Sequence, residues 1–477
     1  MAQGHMDRLS SVDVSFLTNE SSSSHMHVGA IMIFEGPPPS YEDLLEHVQS
    51  RQHLVPRFRQ KLAYPPAQTG RPFWIDDPTF NIEYHVRHSA LPSPGSEDQL
   101  RRMAGRVFSQ QLDRSKPLWE LWLVQGLTRK RFAVITKTHH ALVDGVSGVD
   151  IATVLFDLKP VPEPADTDQD WVPHPEPASG TLVAKGLEDL LKAPLRAARR
   201  IEGAVAHPEA AARRVGQALE GVGEIGWAFA NPAPKVPMNV EIGSHRRYAW
   251  VRSDLAHFKK VKDALGGTVN DVVLAVVAGA LRGWLQHRGV RIEGLELRAQ
   301  VPVSIRAQDE HGQLGNRLAV MRAPLPVYIE DPARRLRTVT EAMQGLKQSK
   351  QALGAEVISR FNDFAPPTLL AQAARINFST RLFNLVVTNV PGPQVPLYVL
   401  GRELEDCFPV GFLPPNQALF IAIMSYNGGI NFGLLADYDA IDDIDLLTEG
   451  IEAAIAELTE LADAAGEPTA SEEPAPA

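Results

Sequence analysis

The second half of the chain alternates short apolar runs with segments of helical periodicity, and this alternation limits the folds that the chain can adopt. The predicted strands lie at 247–253, 297–303, 318–323, 383–389, 418–425 and 430–436. The predicted helices lie near 254–265, 269–287, 331–350 and 443–463. Because strands and helices alternate, we expect an α/β or α+β fold with a mixed sheet.

The first half shows the same two periodicities, with more loops between them. Its pattern predicts an early strand, three helices and a β-hairpin whose turn lies at 126–130. In chain order these are the strand 28–35, the helices 41–52 and 98–112, the hairpin strands 119–125 and 131–138, and a short helix at 146–158. Each half therefore has its own strands and helices.

The length of 477 residues suits two or three domains. We predict one α/β subdomain over 7–160, a helical crossover over 161–245, a second subdomain over 246–465 and a disordered tail over 466–477. Proline and acidic residues open the crossover, and an Ala- and Arg-rich helical segment follows them. Its basic residues are more typical of a solvated helix face than of a surface that binds an anionic membrane.

Composition excludes several classes of partner. The net charge of −10 argues against nucleic acid, because phosphate binding requires a basic face. The single cysteine, Cys407, excludes an internal disulfide and a multi-cysteine metal site, and it indicates a reducing compartment. No apolar segment reaches the roughly 20 residues of a membrane helix, and the start does not resemble a signal peptide. We therefore expect a soluble, cytoplasmic protein without a metal site.

Two adjacent histidines, His139 and His140, close the apolar run 132–138 and are followed by Asp144 and Gly145. Histidine can accept and return a proton near neutral pH, which suits a general base. Neighbouring residues of a regular strand point to opposite faces, so the two rings cannot both face one site. From these residues alone, either histidine can be the base.

The string from His139 to Gly145 resembles the HHxxxDG active-site motif of the coenzyme-A-dependent acyltransferase superfamily, which includes chloramphenicol acetyltransferase and peptide-synthetase condensation domains. Four further segments follow the order of the bacterial wax ester synthase/diacylglycerol acyltransferase family, and the resemblance extends from about Leu9 to Ala462. They are Pro117-Leu-Trp-Glu, Val269-Asn-Asp-Val, Pro302-Val-Ser-Ile-Arg with Leu314-Gly-Asn-Arg, and Asn389-Val-Pro-Gly-Pro. The resemblance implies two chloramphenicol-acetyltransferase-like subdomains with a tunnel between them.

The resemblance also implies a reaction. Members of the family transfer an acyl group from a long-chain acyl-CoA to a fatty alcohol or a diacylglycerol, without a metal or an organic cofactor. His140 would be the general base, with no acyl-enzyme intermediate, and His139 would be mainly structural. Asp144 would pair with Arg306 rather than complete a catalytic triad. These lipid substrates lead us to expect peripheral contact with a membrane or a lipid droplet.

Three other residues have both a functional and a purely structural interpretation. Asn270 and Asp271 stand at a helix start, where both residue types are good caps. By resemblance they lie near the tunnel, where Asn270 would donate to substrate and Asp271 would hold the loop. Thr388 is a candidate donor to the oxyanion, although an ordinary β-branched strand residue explains it slightly better. Gly145 would permit a close backbone approach.

Two alternatives remain open. The chain can be a superfamily acyltransferase that uses a polyketide, a sugar or a carrier-protein-linked acceptor. It can also be an inactive lipid-binding scaffold, against which the intact His140, Asp144 and Gly145 argue. Cys407, beside Phe408 and Pro409, is predicted to be buried rather than reactive.

Overall fold

The computed structural model describes residues 6–66, 70–143, 154–161, 171–185, 230–304, 318–348 and 379–466. Several predictions lie outside these residues: most of the helix at 146–158, most of the crossover, the tail beyond 466, and the residues Asp144, Gly145 and Arg306. The bounds predicted for the two subdomains and the crossover stay a prediction.

Up to Val143, the first part of the chain supplies seven strands and five α-helices among the described residues. They are β1 (Met6–Arg8), α1 (Ser11–Asn19), β2 (His27–Phe34), α2 (Tyr41–Arg51), β3 (Gln60–Ala63), β4 (Phe73–Asp76), α3 (Ile82–His85), β5 (Val86–Ala90), α4 (Glu97–Phe108), β6 (Trp119–Gln125), β7 (Phe132–His139) and α5 (His140–Val143).

The later part supplies eight strands and four long helices among the described residues. They are β8 (Arg246–Asp254), α6 (Leu255–Leu265), α7 (Val269–His287), β9 (Leu297–Ser304), β10 (Leu318–Leu325), α8 (Pro332–Gln348), β11 (Leu385–Pro391), β12 (Tyr398–Val399), β13 (Arg402–Val410), β14 (Leu419–Tyr426), β15 (Gly429–Asp437) and α9 (Ile444–Gly466).

Two six-stranded sheets form the framework, and both are mixed, as predicted. The first has the strand order β12-β13-β2-β7-β6-β5, and its one parallel pair is β5 with β6. The second has the order β10-β9-β11-β14-β15-β8, in which β11 is parallel to both of its neighbours. A third, small sheet has the order β1-β4-β3.

Strand β7 at the centre of the first sheet is buried along its whole length. Ala133 and Ile135 belong to the core that the sheet shares with α4 and the second half, whereas Phe132 and Val134 belong to the core beneath α2. Because both of its faces are covered, the first four residues of β7, 132–135, are all apolar. The same reasoning applies to α7, whose predicted apolar stripe from Val273 to Trp284 is buried.

Strand β13 comes from the second half of the chain but pairs with β2 of the first sheet. The sequence pattern did not predict it, because Glu403, Glu405, Asp406 and Pro409 interrupt its apolar residues. The pairing also contains an irregularity between Leu404 and Asp406. One strand of the second half is therefore built into the first sheet.

No single described helix is long and apolar enough to cross a membrane. Taken together, α6 and α7 have the length and apolar composition of a membrane span, but a bend of 100° lies between them.

Gly433 allows the two sheets to approach each other. A Cβ atom at this position would lie 1.9 Å from the Pro409 carbonyl oxygen and 2.6 Å from the Tyr248 hydroxyl, which itself donates to the same carbonyl at 2.9 Å. We expect Gly433→Ala to lower the free energy of unfolding by about 1–3 kcal/mol, because the backbone carbonyl cannot move aside cheaply. Urea denaturation measures this loss.

Gly283 on α7 is the matched control, because nothing lies within 4 Å of its added Cβ. Gly283→Ala is expected to stabilise the protein by up to about 1 kcal/mol, since alanine favours a helix. If the two variants change the free energy of unfolding equally, the close contact of Gly433 with the Pro409 carbonyl is not what makes alanine unfavourable there.

Candidate active site

His140 lies where β7 ends and α5 begins, and it is half-buried. Its backbone N–H donates to the Met26 carbonyl oxygen at 2.8 Å. The Phe16 ring stacks on the imidazole with 3.9 Å between ring centroids and 21° between planes. The Phe412 ring meets the imidazole edge-on at 5.6 Å and 88°. Phe16 belongs to α1 and Phe412 follows β13, so both halves of the chain contact this histidine.

His139 occupies a different environment, because it is completely buried. Its backbone N–H donates to the carbonyl oxygen of Leu118, at 3.0 Å, in the Pro-Leu-Trp segment. Its ring atom Nδ1 accepts the backbone N–H of Ala141 at 3.1 Å. An accepting imidazole nitrogen carries no proton, so the proton of the neutral ring is on Nε2. That atom lies 3.5 Å from Glu20 Oε2.

Glu20 is the carboxylate at the centre of this buried cluster, with a side chain that is 3% exposed. Arg114 donates to Oε2 with Nε, at 2.7 Å, and with one terminal nitrogen. His27 Nε2 lies 3.3 Å from Oε1. Burial opposes ionisation, but His139, His27 and the Arg114 charge outweigh it and hold the pKa of the Glu20 carboxyl well below its ordinary range.

For the two buried histidines, in contrast to Glu20, burial outweighs the neighbouring groups and favours the neutral ring. Burial lowers the pKa of His27 to about 3, despite the nearby Glu20 carboxylate. Burial also lowers the pKa of His139, again against the effect of Glu20. The two residues face each other across the β2–β7 pair, with 5.9 Å between ring centroids.

A second buried polar residue, Lys137, lies two positions before His139 and therefore on the same face of β7. Its Nζ donates to the carbonyl oxygens of Val107, at 3.0 Å, and Gln110, at 2.7 Å, and lies 3.7 Å from Glu120 Oε2. Burial lowers its pKa to about 8. Lys137 thus binds the carbonyl groups at the C-terminal end of α4.

The predicted site residues of the second half lie on α7 and β11. The N-cap of α7 is Thr268, and Asp271 completes a capping box with it: the Asp271 carboxylate accepts the Thr268 N–H at 2.8 Å, and the Asp271 N–H donates to the Thr268 hydroxyl at 3.3 Å. Asn270 is half-buried beside it. Thr388 is half-buried on β11, in register with Ala422 of β14.

The structure brings His139 and His140 together but gives them different surroundings. Sequence reasoning missed Phe16, Glu20, Arg114 and Phe412, which surround them. One usable signal was the presence of polar residues inside otherwise apolar strands, as at His27 and Lys137. The roles of Asn270 and Thr388 towards a substrate stay predictions.

Two further observations concern the site chemistry. Cys407 is buried, as predicted, and burial raises the pKa of its thiol to about 12. Within the described part of the chain, no three His, Cys, Asp or Glu side chains are grouped as metal ligands.

Two family models match the chain. The wax ester synthase/diacylglycerol acyltransferase catalytic domain matches residues 9–273, and the C-terminal domain of the same family matches residues 314–459. A Mycobacterium tuberculosis protein named as a diacylglycerol O-acyltransferase is 34% identical over 96% of this chain and 91% of its own length. A second one from that organism, named tgs1, is 32% identical over 95% of this chain and 96% of its own length.

Solved structures show the same likeness. The wax ester synthase/diacylglycerol acyltransferase from Marinobacter aquaeolei VT8 is 28% identical, with a TM-score of 0.69 over 96% of this chain and all of that one. The first condensation domain of the calcium-dependent antibiotic synthetase is 16% identical, with a TM-score of 0.56 over 96% of this chain and 97% of that domain. At this identity the second likeness shows the fold alone.

Because Asp271 belongs to the capping box of α7, substitutions of Asp271 and of its neighbour Asn270 should change the free energy of unfolding by different amounts. We expect Asp271→Ala to lower the free energy of unfolding by about 1 kcal/mol, because it leaves the Thr268 N–H without its acceptor. Thr268→Ala is the matched control and is expected to cause a similar loss. Asn270→Ala should leave thermal unfolding nearly unchanged, and an equal loss there would show that Asn270 is also part of the cap.

The buried Lys137 predicts a pH dependence of stability. Its folded-state pKa of about 8 is below its ordinary value of 10.5, so between these values the unfolded chain binds more protons than the folded one. The contribution of Lys137 to the free energy of unfolding therefore rises with pH across this window. Lys137→Met is expected to remove that rise in urea denaturation series between about pH 8 and pH 10. The control Lys259→Met changes an exposed lysine, and identical slopes in the two variants would contradict the prediction.

Proposed function

We propose that this chain, which belongs to the wax ester synthase/diacylglycerol acyltransferase family, transfers a long-chain acyl group from acyl-CoA to the hydroxyl of a diacylglycerol or a fatty alcohol. The products are triacylglycerol or wax ester and free coenzyme A. The observation that carries the proposal is the position of His140, which two aromatic rings and a backbone hydrogen bond hold at the end of a buried strand.

In the proposed mechanism His140 removes the proton of the acceptor hydroxyl, and the hydroxyl oxygen attacks the thioester carbonyl carbon. The tetrahedral intermediate then breaks its carbon–sulfur bond, and His140 returns the proton to the thiolate of coenzyme A. Both substrates are bound together, so no acyl-enzyme forms. Acid–base help from a positioned residue contributes about 10²–10⁴-fold to such a reaction.

The surroundings of His140 support a lipid reaction. Phe16 covers one face of the ring and Phe412 meets its edge, so two apolar side chains border the imidazole. Apolar walls suit acyl chains, and they limit the access of water, which would hydrolyse the thioester. This supports His140 over the completely buried His139 as the group that meets the substrate.

The remaining roles are part of the same proposal. Thr388 donates to the oxyanion, Asn270 donates to substrate, and Asp144 pairs with Arg306 beside Gly145. The reaction needs no metal and no organic cofactor, since acyl-CoA is a substrate. The protein is cytoplasmic and meets its lipid acceptors by peripheral contact with a membrane or lipid-droplet surface.

The test is an acceptor panel with palmitoyl-CoA as donor and hexadecanol or dioleoylglycerol as acceptor. Release of free thiol and formation of the ester, measured by mass spectrometry, are expected with at least one acceptor. His140→Ala should lower the rate by about 100-fold or more, because the proton of the hydroxyl has no acceptor. The control His257→Ala removes an exposed imidazole on α6 and should retain the wild-type rate.

Absence of thiol release with every hydroxyl acceptor would overturn the proposal, and so would a His140→Ala variant that keeps the wild-type rate. Turnover that requires a carrier-protein-bound donor would instead favour a condensation-type acyltransferase. Binding of acyl-CoA in calorimetry without any turnover would favour a lipid-binding scaffold.

A further inference from the structure

We infer that Glu20 is a positioning residue for the reaction, and that it acts on His140 through the ring of His139. The inference rests on the proposed function, because it concerns how the proposed base is held. It assigns a role to a buried carboxylate that does not itself meet the substrate.

One segment, residues 16–27, contacts His140 at two points and its neighbour His139 at a third. Phe16 stacks on its ring, and the Met26 carbonyl accepts its backbone N–H. Glu20, which lies between them in the sequence, contacts His139, the residue before it. The orientation of the His140 ring therefore depends on where this segment is fixed.

The tautomer of His139 connects Glu20 to the backbone beside His140. Nδ1 accepts the Ala141 N–H at 3.1 Å, so the ring proton must be on Nε2. Nε2 lies 3.5 Å from Glu20 Oε2, which is ion-pair distance and longer than the roughly 2.7–3.2 Å of an ordinary N–H···O hydrogen bond. A carboxylate at this place favours the Nε2–H tautomer. The other tautomer would set an N–H at Nδ1 against the Ala141 N–H and push apart the turn that carries His140.

Arg114 fixes the carboxylate and the segment together. It donates to Glu20 Oε2, and one of its terminal nitrogens also donates to the Leu17 carbonyl oxygen at 2.7 Å, near the end of α1. The lowered pKa of Glu20 agrees with a permanently ionised group, although burial opposes its charge. The cluster is thus a buried charged anchor for the helix that carries Phe16.

The test compares variants at Glu20. Glu20→Leu removes the acceptor and is expected to lower kcat about tenfold to a hundredfold, with KM for both substrates nearly unchanged, because the base is present but misplaced. Glu20→Gln is expected to recover most of kcat. Its amide oxygen must face Arg114 and His139, since its NH₂ group would oppose the guanidinium.

Glu20→Leu leaves Arg114, whose side chain is 37% exposed, without its carboxylate partner, so the double variant Glu20→Leu/Arg114→Leu is included. The double variant removes both members of the ion pair, and the same loss of kcat is expected. The matched control is Asp443→Asn in the second half, where a carboxylate accepts from Arg288 at 2.9 Å and from Trp284 at 3.0 Å. It should lower the melting temperature and leave kcat unchanged.

A nitrogen-15 NMR spectrum of the histidine side chains provides a readout that does not depend on activity. The wild type is expected to show His139 with its proton on Nε2, and Glu20→Leu should show a mixture of tautomers. A folded Glu20→Leu or double variant with wild-type kcat overturns the inference, and so does a loss of kcat with the His139 tautomer unchanged. If the wild type transfers no acyl group to any acceptor, the proposed function fails, while the tautomer measurement still tests the contact.

Discussion

The Glu20 carboxylate is the constraint on which the first half of the structure depends. A carboxylate that is removed from water needs several donors or positive charges around it. Here Arg114, which lies before β6, donates to the carboxylate, and the rings of His27, at the start of β2, and His139, at the end of β7, lie beside it. One buried charge therefore links α1, β2, β7 and the loop after α4. This explains why two largely buried strands carry histidines at their facing ends.

A second constraint connects this cluster to the other half of the chain. Strand β13 belongs to the second half of the chain but pairs with β2 of the first sheet. This pairing brings Phe412, which follows β13, into contact with His140. Arg252 of β8 strengthens the junction by donating to Glu97 on α4 and Asp406 on β13, each at 2.8 Å. The candidate site is thus assembled by both halves, although its histidines lie in one of them.

The strands and helices of the second half were predicted to within two residues at most ends, because each sequence period matched one buried face. The pattern missed β13, whose acidic residues and proline conceal its apolar face, and it missed the short strands β1, β3, β4 and β5. The site was only partly predictable for a related reason. The strand end and its two histidines are local features, whereas Glu20 meets Arg114 at a separation of 94 positions. A periodic pattern within a short segment cannot predict a contact between residues so far apart. The segment Asn19-Glu20-Ser21 alone is typical of a polar loop.

The different surroundings of the two adjacent histidines follow from the change of backbone between them. His139 is the last residue of β7, and both of its ring nitrogens face the interior, where Nδ1 accepts the Ala141 N–H and Nε2 lies 3.5 Å from Glu20 Oε2. His140 is the first residue of α5, so its side chain leaves the strand geometry and lies between two aromatic rings. Because the His139 ring itself accepts the N–H of Ala141, the completely buried histidine stabilises the turn that holds its half-buried neighbour, His140. Alternation along a strand separates the two rings, but this turn determines which of them remains accessible.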